Sequence, residues 1–254
     1  MMRYPTYALA LILLLLPCLS VAQNDLSTRA ASEQPGNAAA QNLLGVRFAS
    51  GEGVRQDFAV ARQLWGKASE LGHSGASYNL GMMYESASGV ALDFAEAARW
   101  YGLAAEQGEA GASLRLGLLY EKGRGVPKDE ARAFKFYRQA AEQGLADGQN
   151  ALGRLYEMGH GVKQDVAKAQ FWYRRAAEQG HVLAQSNYGF LLFAGAMGSA
   201  QVVEAYAWIS LSAATGNAIA ISHRAALELQ LTAQQIVAGK ARATELQTGI
   251  AGGK

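Results

Sequence analysis

Cysteine is nearly missing from this chain: among 254 residues Cys18 stands alone. A single thiol forms no internal disulfide, so any fold must rest on packing. An excess of either charge is missing as well, with 23 Lys and Arg against 21 Asp and Glu. Without a basic block there is no electrostatic footprint for nucleic acid. Catalytic signatures are also missing: there is no G-x-S-x-G, no S-x-x-K, no P-loop and no dinucleotide fingerprint. The histidines are His73, His160, His181 and His223, and no two of them share a helix at metal-ligand spacing. They read as solvated turn residues. The expectation is therefore a protein with no cofactor, no metal and no enzymatic activity.

What is present begins with an address. Arg3 precedes an unbroken apolar run, Ala8 to Leu16, which Pro17 ends, and Ser20-Val21-Ala22 offers small residues for cleavage. This pattern is that of a secretory signal peptide over residues 1–22, cut after Ala22. The apolar run is too short to cross a bilayer, which takes about 20 residues, so no stable membrane insertion is expected after cleavage. A lipid anchor on Cys18 is disfavoured because Pro17 stands where a lipobox has a small residue. The sequence thus predicts an exported protein, periplasmic or secreted. Residues 23–36 read as a polar, disordered linker.

Half of the residues are hydrophobic, enough for a folded core. Proline numbers 4 against 29 glycines, and the glycines are periodic. Gly72, Gly108, Gly144, Gly180 and Gly216 recur every 36 residues, as do Gly45, Gly81, Gly117, Gly153 and Gly189. Ala61, Ala97, Ala133, Ala169 and Ala205 form a third column at the same spacing. These columns define five repeats: 37–72, 73–108, 109–144, 145–180 and 181–216.

Each repeat reads as a helix, a turn and a second helix. Leu116 and Tyr120, four residues apart, share one helical face, with Gly117 between them as a point of close approach. Gly123-Arg124-Gly125-Val126 makes a turn, and Asp57, Asp93, Asp129 and Asp165 stand as N-caps of the second helices. Asp93 with Glu96 suggests an acidic capping box. The tryptophans Trp65, Trp100, Trp172 and Trp208 recur on the second helices and read as core. The second repeat departs at Ser86-Ala87-Ser88, and the fifth lacks both the Asp and the Gly-Val. After the repeats, residues 217–248 read as C-terminal capping helices, with Thr232 and Gln235 as a capping box, and 249–254 as a frayed glycine-rich tail.

The run Leu-Gly-x-x-Tyr-x-x-Gly-x-Gly-Val-x-x-Asp, continued by Ala-x-x-Trp/Phe-Tyr-x-x-Ala-Ala-x-x-Gly, resembles the Sel1-like repeat, a relative of the tetratricopeptide repeat. It is plainest from Leu116 to Gly144 and from Leu152 to Gly180. The resemblance implies an all-α fold: an α-solenoid of five 36-residue helix–turn–helix repeats with C-terminal capping helices. It also implies a scaffold for protein complexes, of an exported bacterial type.

Removing the core columns from the first helices leaves a second face, which lines the concave groove in tetratricopeptide geometry. In the first two repeats it holds Asn42, Val46, Tyr78, Met82 and Glu85. In the third and fourth it holds Leu114, Leu118, Glu121, Asn150, Arg154 and Glu157, and in the fifth Ser186, Phe190 and Phe193. These positions vary while the core columns do not. They are the expected site for a protein or peptide partner with apolar anchors and a basic residue, the latter for the recurring Glu85, Glu121 and Glu157. Two other readings stay open: a structural component of an envelope complex packing through its edges or termini, and, more distantly, an envelope polysaccharide binder or enzyme.

Overall fold

The computed structural model describes residues 37–196 and 198–252. The expected signal peptide and linker lie outside the described residues. Twelve helices and no strand are found among the described residues, and the fold is all-α. They divide between Glu109 and Ala110 into two compact units.

The first unit holds α1 (Ala38–Ser50), α2 (Phe58–Glu70), α3 (Ser74–Glu85) and α4 (Phe94–Glu106). The second holds α5 (Ala110–Lys122), α6 (Glu130–Glu142), α7 (Ala146–Met158), α8 (Val166–Glu178), α9 (Val182–Ala194), α10 (Ser199–Ala214), α11 (Ala218–Glu228) and α12 (Ala233–Gly252). Within each unit, consecutive helices pack against one another as far as α11.

The helix limits follow from the side chains at their ends. Asp57 accepts hydrogen bonds from the Ala59 and Val60 N–H groups at 2.9 and 3.1 Å, satisfying donors that the first turn leaves open. Asp93, Asp129 and Asp165 cap α4, α6 and α8 in the same way. Glu96 does not close the capping box expected with Asp93. Its carboxylate pairs with Arg99 at 3.0 Å, and the Asp93 N–H donates to the Tyr84 carbonyl. The Thr232–Gln235 box does form, with reciprocal bonds of 2.9 and 3.2 Å. His73 and His181 are caps rather than solvated turn residues: each Nδ1 accepts the N–H three residues on, at 3.2 and 3.1 Å. At the C-terminal ends Gly72 and Gly144 take φ of 84° and 89°, where a side chain would strain the backbone. Ala87 occupies the same left-handed region at φ 56° in the turn where the other early repeats place glycine.

Packing between paired helices is governed by the first glycine column. A Cβ on Gly117 would lie 2.8 Å from the Tyr137 ring, and one on Gly153 would lie 2.7 Å from Tyr173. Gly81 faces Tyr101 and Gly45 faces Trp65 in the same manner. A glycine inside a helix costs about 1 kcal/mol relative to alanine, and here that cost makes room for a buried ring. The alanine column from Ala61 to Ala205 is fully buried. The tryptophans divide: Trp65 and Trp208 are buried, whereas Trp100 and Trp172 are half-buried. The continuous core column is instead Trp65, Tyr101, Tyr137, Tyr173 and Ile209.

α11 begins in register with the first helices, capped by Asn217 at 2.9 Å. α12 then packs along α10 instead of serving as the second helix of a sixth repeat. Residues 249–252, expected to fray, are helical, because Ile250 packs against the cluster that includes Ala176 and Trp208. Among the described residues no helix is long and apolar enough to cross a membrane.

Candidate functional site

In the second unit the variable face of the first helices forms a cleft. Leu114 and Leu118 on α5 are four residues apart and share a face, as do Asn150 and Arg154 on α7. With Glu121 they line one cleft of about 460 Å³, completed by Arg115, Lys122, Tyr137, Asp147 and Ala151. Five of the expected residues are thus brought together. A second cleft of about 490 Å³ shares Glu121, Lys122 and Arg154 with the first and is bounded by Lys128, Glu130, Leu155, Met158 and His160.

The three recurring glutamates are not an open acidic line. Glu121 accepts the Tyr137 hydroxyl at 2.6 Å and takes Arg154 Nη2 on both oxygens at 2.8 Å. Glu157 accepts the Tyr173 hydroxyl at 2.7 Å, and in the first unit Glu85 accepts the Tyr101 hydroxyl at 2.5 Å. Each phenol is buried and requires an acceptor, and the glutamate sixteen residues earlier supplies it. Burial acts to raise the Glu121 carboxyl, but the Tyr137 hydroxyl and the Arg154 guanidinium outweigh it and hold the group below its ordinary value. Burial, and then the hydrogen bond to Glu121, pushes the Tyr137 phenol well above its ordinary value. Glu121 and Glu157 therefore hold helix pairs together first, and a partner's Lys or Arg would find Glu121 already neutralised.

The other expected residues are placed as follows. Asn150 Oδ1 accepts from Asn187 Nδ2 at 3.2 Å, and in the first unit Asn42 Oδ1 accepts from Asn79 Nδ2 at 3.0 Å. These amides tie neighbouring repeats. Val46 and Met82 are exposed, and the half-buried Tyr78 ring lies 5.7 Å from Tyr101. Met82 lines a pocket of about 160 Å³ with Phe58 and Trp65. Two expectations need correction in the fifth repeat, Ser186 and Phe193. Ser186 is 2% exposed and offers nothing to a partner. Phe193 is packed against the Tyr206–Ile209–Leu227 cluster. Phe190 is 44% exposed, but its ring stacks on His223 at 5.1 Å and does not line the α5–α7 cleft.

Arg115 and Ala151 were missed by sequence reasoning, although a signal existed. Their column reads Leu43, Asn79, Arg115, Ala151 and Asn187, as variable as the columns that were chosen. Among the described residues no cluster of His, Cys, Asp or Glu is placed to hold a metal ion.

Helix pairs repeating at 36 residues, each closed by a glycine against a ring or, in the fifth, against Ile209, define an α-solenoid repeat protein. The Sel1 repeat model matches residues 38–73, 74–109, 110–145, 146–181 and 182–217, and the chain belongs to the Sel1 repeat family. Among solved structures it resembles a protective antigen present in uropathogenic Escherichia coli strains, described as displaying an SLR fold. That match has 32% identity and a TM-score of 0.76, covering 89% of this chain and 48% of the other. This chain therefore spans about half the length of that relative. A Sel1 repeat protein from Oxalobacter formigenes matches at 31% identity and a TM-score of 0.68, covering 82% of this chain and 85% of the other. No curated protein matches the chain. Sel1 repeat proteins generally mediate protein–protein interaction on a non-enzymatic scaffold.

Proposed function

We propose that the protein is an exported adaptor that holds a segment of a partner protein in the groove formed by α5 and α7. The observation that carries this reading is the cleft of about 460 Å³ in which Leu114, Leu118, Asn150 and Arg154 converge. All four belong to positions that change between repeats, while the glycine, alanine and ring columns beneath them stay nearly uniform. Affinity would come from the apolar anchors and orientation from the polar rim. Export rests on the Arg3, Ala8 to Leu16 and Ser20-Val21-Ala22 pattern, and the mature chain would begin at Gln23.

A second reading, a structural component packing through its end, has one observation in its favour. On α11 and just beyond it, Ile219 and Leu229 are exposed, Leu229 at 89%. Photo-crosslinking in the native host separates the two. A photoreactive residue at Leu118 that captures a discrete protein, with little capture from Leu229, supports the groove. Capture from Leu229 alone gives the lead to the structural reading. Intact mass of the captured chain tests export, because retention of residues 1–22 would contradict it.

A further inference from the structure

The cleft between α5 and α7 carries a charge asymmetry that the glutamate column conceals in the sequence. Of its two acids Glu121 is engaged, whereas the Asp147 side chain is 64% exposed and meets only a histidine. Glu121 is bound by Tyr137 and Arg154, and Asp147 Oδ1 lies 3.1 Å from His181 Nε2. The cations outnumber them: Arg115, Lys122 and Arg154 all line the cleft. Arg154 and Glu121 are also unequally exposed, at 34% and 15% of their side chains, so the guanidinium is the more accessible member of the pair. Only Nη2 of Arg154 is spent on Glu121; among the described residues its Nε and Nη1 make no hydrogen bond. Lys122, one residue beyond Glu121, is exposed and makes no ion pair among the described residues.

Position adds to charge. Arg154 and Lys122 border both the cleft with Leu114 and Leu118 and the neighbouring cleft with Met158, whose side chain is exposed. A segment running from one cleft to the next passes over the guanidinium between two apolar patches. A fixed guanidinium with unused donors matches a carboxylate geometrically as well as electrostatically.

We propose that the partner segment presents an acidic side chain, Asp or Glu, to Arg154 and Lys122, flanked on both sides by apolar residues. The proposal rests on the groove reading and replaces the basic partner residue that the glutamate column suggested. Arg154 supplies the directed hydrogen bonds, Lys122 adds a second charge, and Leu114, Leu118 and Met158 receive the flanking side chains.

The test is selection of a random peptide library on the purified chain, followed by fluorescence-polarisation titration of the selected peptides. Titrations use the parent protein and its Arg154→Gln, Lys122→Gln and Leu118→Ala variants, each checked by thermal melt. The expected peptides are enriched in Asp or Glu between apolar residues. Their affinity falls on the order of tenfold with Arg154→Gln and about two- to fivefold with Lys122→Gln. Lys122→Gln alters an exposed side chain outside the Tyr137–Glu121–Arg154 bonds, so it remains decisive where Arg154→Gln lowers stability. Peptides rich in Lys or Arg, or peptides that ignore both substitutions yet weaken with Leu118→Ala, overturn the acidic assignment and leave the groove reading standing. Failure to select any peptide, or indifference to Leu118→Ala as well, overturns both.

Discussion

The third and fourth repeats and the fifth fill the same slot with opposite chemistry. In the third and fourth, Tyr137 and Tyr173 bury their rings against a glycine and reach Glu121 and Glu157. In the fifth, the corresponding residues are Ile209 and Phe193, and Ile209 lies against Gly189 as the rings lie against theirs. The slot is therefore steric first, and the glycine stays whichever side chain it receives. Polarity comes in matched pairs, because a buried hydroxyl without an acceptor is costly. The fifth repeat moves its polar pair elsewhere. Tyr206 bonds Glu228 on α11 at 2.6 Å, and burial followed by that bond pushes the phenol up to about 12.

The sharpest way to break this comparison is to fill the glycine. Gly117→Leu drives a side chain into the Tyr137 ring and should cost about 3 kcal/mol or more in denaturant unfolding. Leu118→Ala, on the half-buried cleft face of the same helix, should cost less than about 1.5 kcal/mol. Equal losses would mean that the two faces of α5 are misassigned.

Next comes the polar pair. Tyr173→Phe removes the donor to Glu157 and should cost about 1–2 kcal/mol. Installing the fifth repeat's pair, Glu157→Phe with Tyr173→Ile, should cost less than the two single changes added together. A double-mutant cycle reads that coupling, and strict additivity would show the two columns to be independent.

Acid separates the repeats further. Glu121 is held below its ordinary value of 4.5 in the folded chain, so it contributes stability that is fully present above about 4.5. That contribution is lost as pH falls through the lower folded value. Glu121→Gln should therefore flatten the loss of stability below pH 4.5. An unchanged acid profile by thermal melt would detach the carboxyl from the fold. The smallest effect concerns the caps. α10 begins at Gly198 with no side-chain cap, in extended backbone that any residue adopts. Gly198→Asp should stabilise by a few tenths of a kcal/mol, and no rise in melting temperature would mean that the α10 start has no open donor to satisfy.

Much of the fold was legible because repetition turns one chain into its own comparison set. Gly117 and Ala133 announce themselves only when Gly153 and Ala169 stand beside them. The site was less legible. Glu121 and Tyr137 are separated by a turn, and a column of acids alone reads as a surface stripe. The available signal was joint change: Glu with Tyr in three repeats, Ala49 with Trp65 in the first and Phe193 with Ile209 in the fifth. Ser186 was misread because serine is at home both in water and in a tight helix contact. Ile250 was misread because Gly249 and Gly252 suggest fraying, whereas tertiary packing overrode local propensity.

α12 turns away from α11 to lie along α10. An array of identical parts has no intrinsic length, and this helix gives the second unit one. A duplicated 36-residue block inserted ahead of Asn217 would meet a familiar neighbour on either side, and α12 would follow it unchanged.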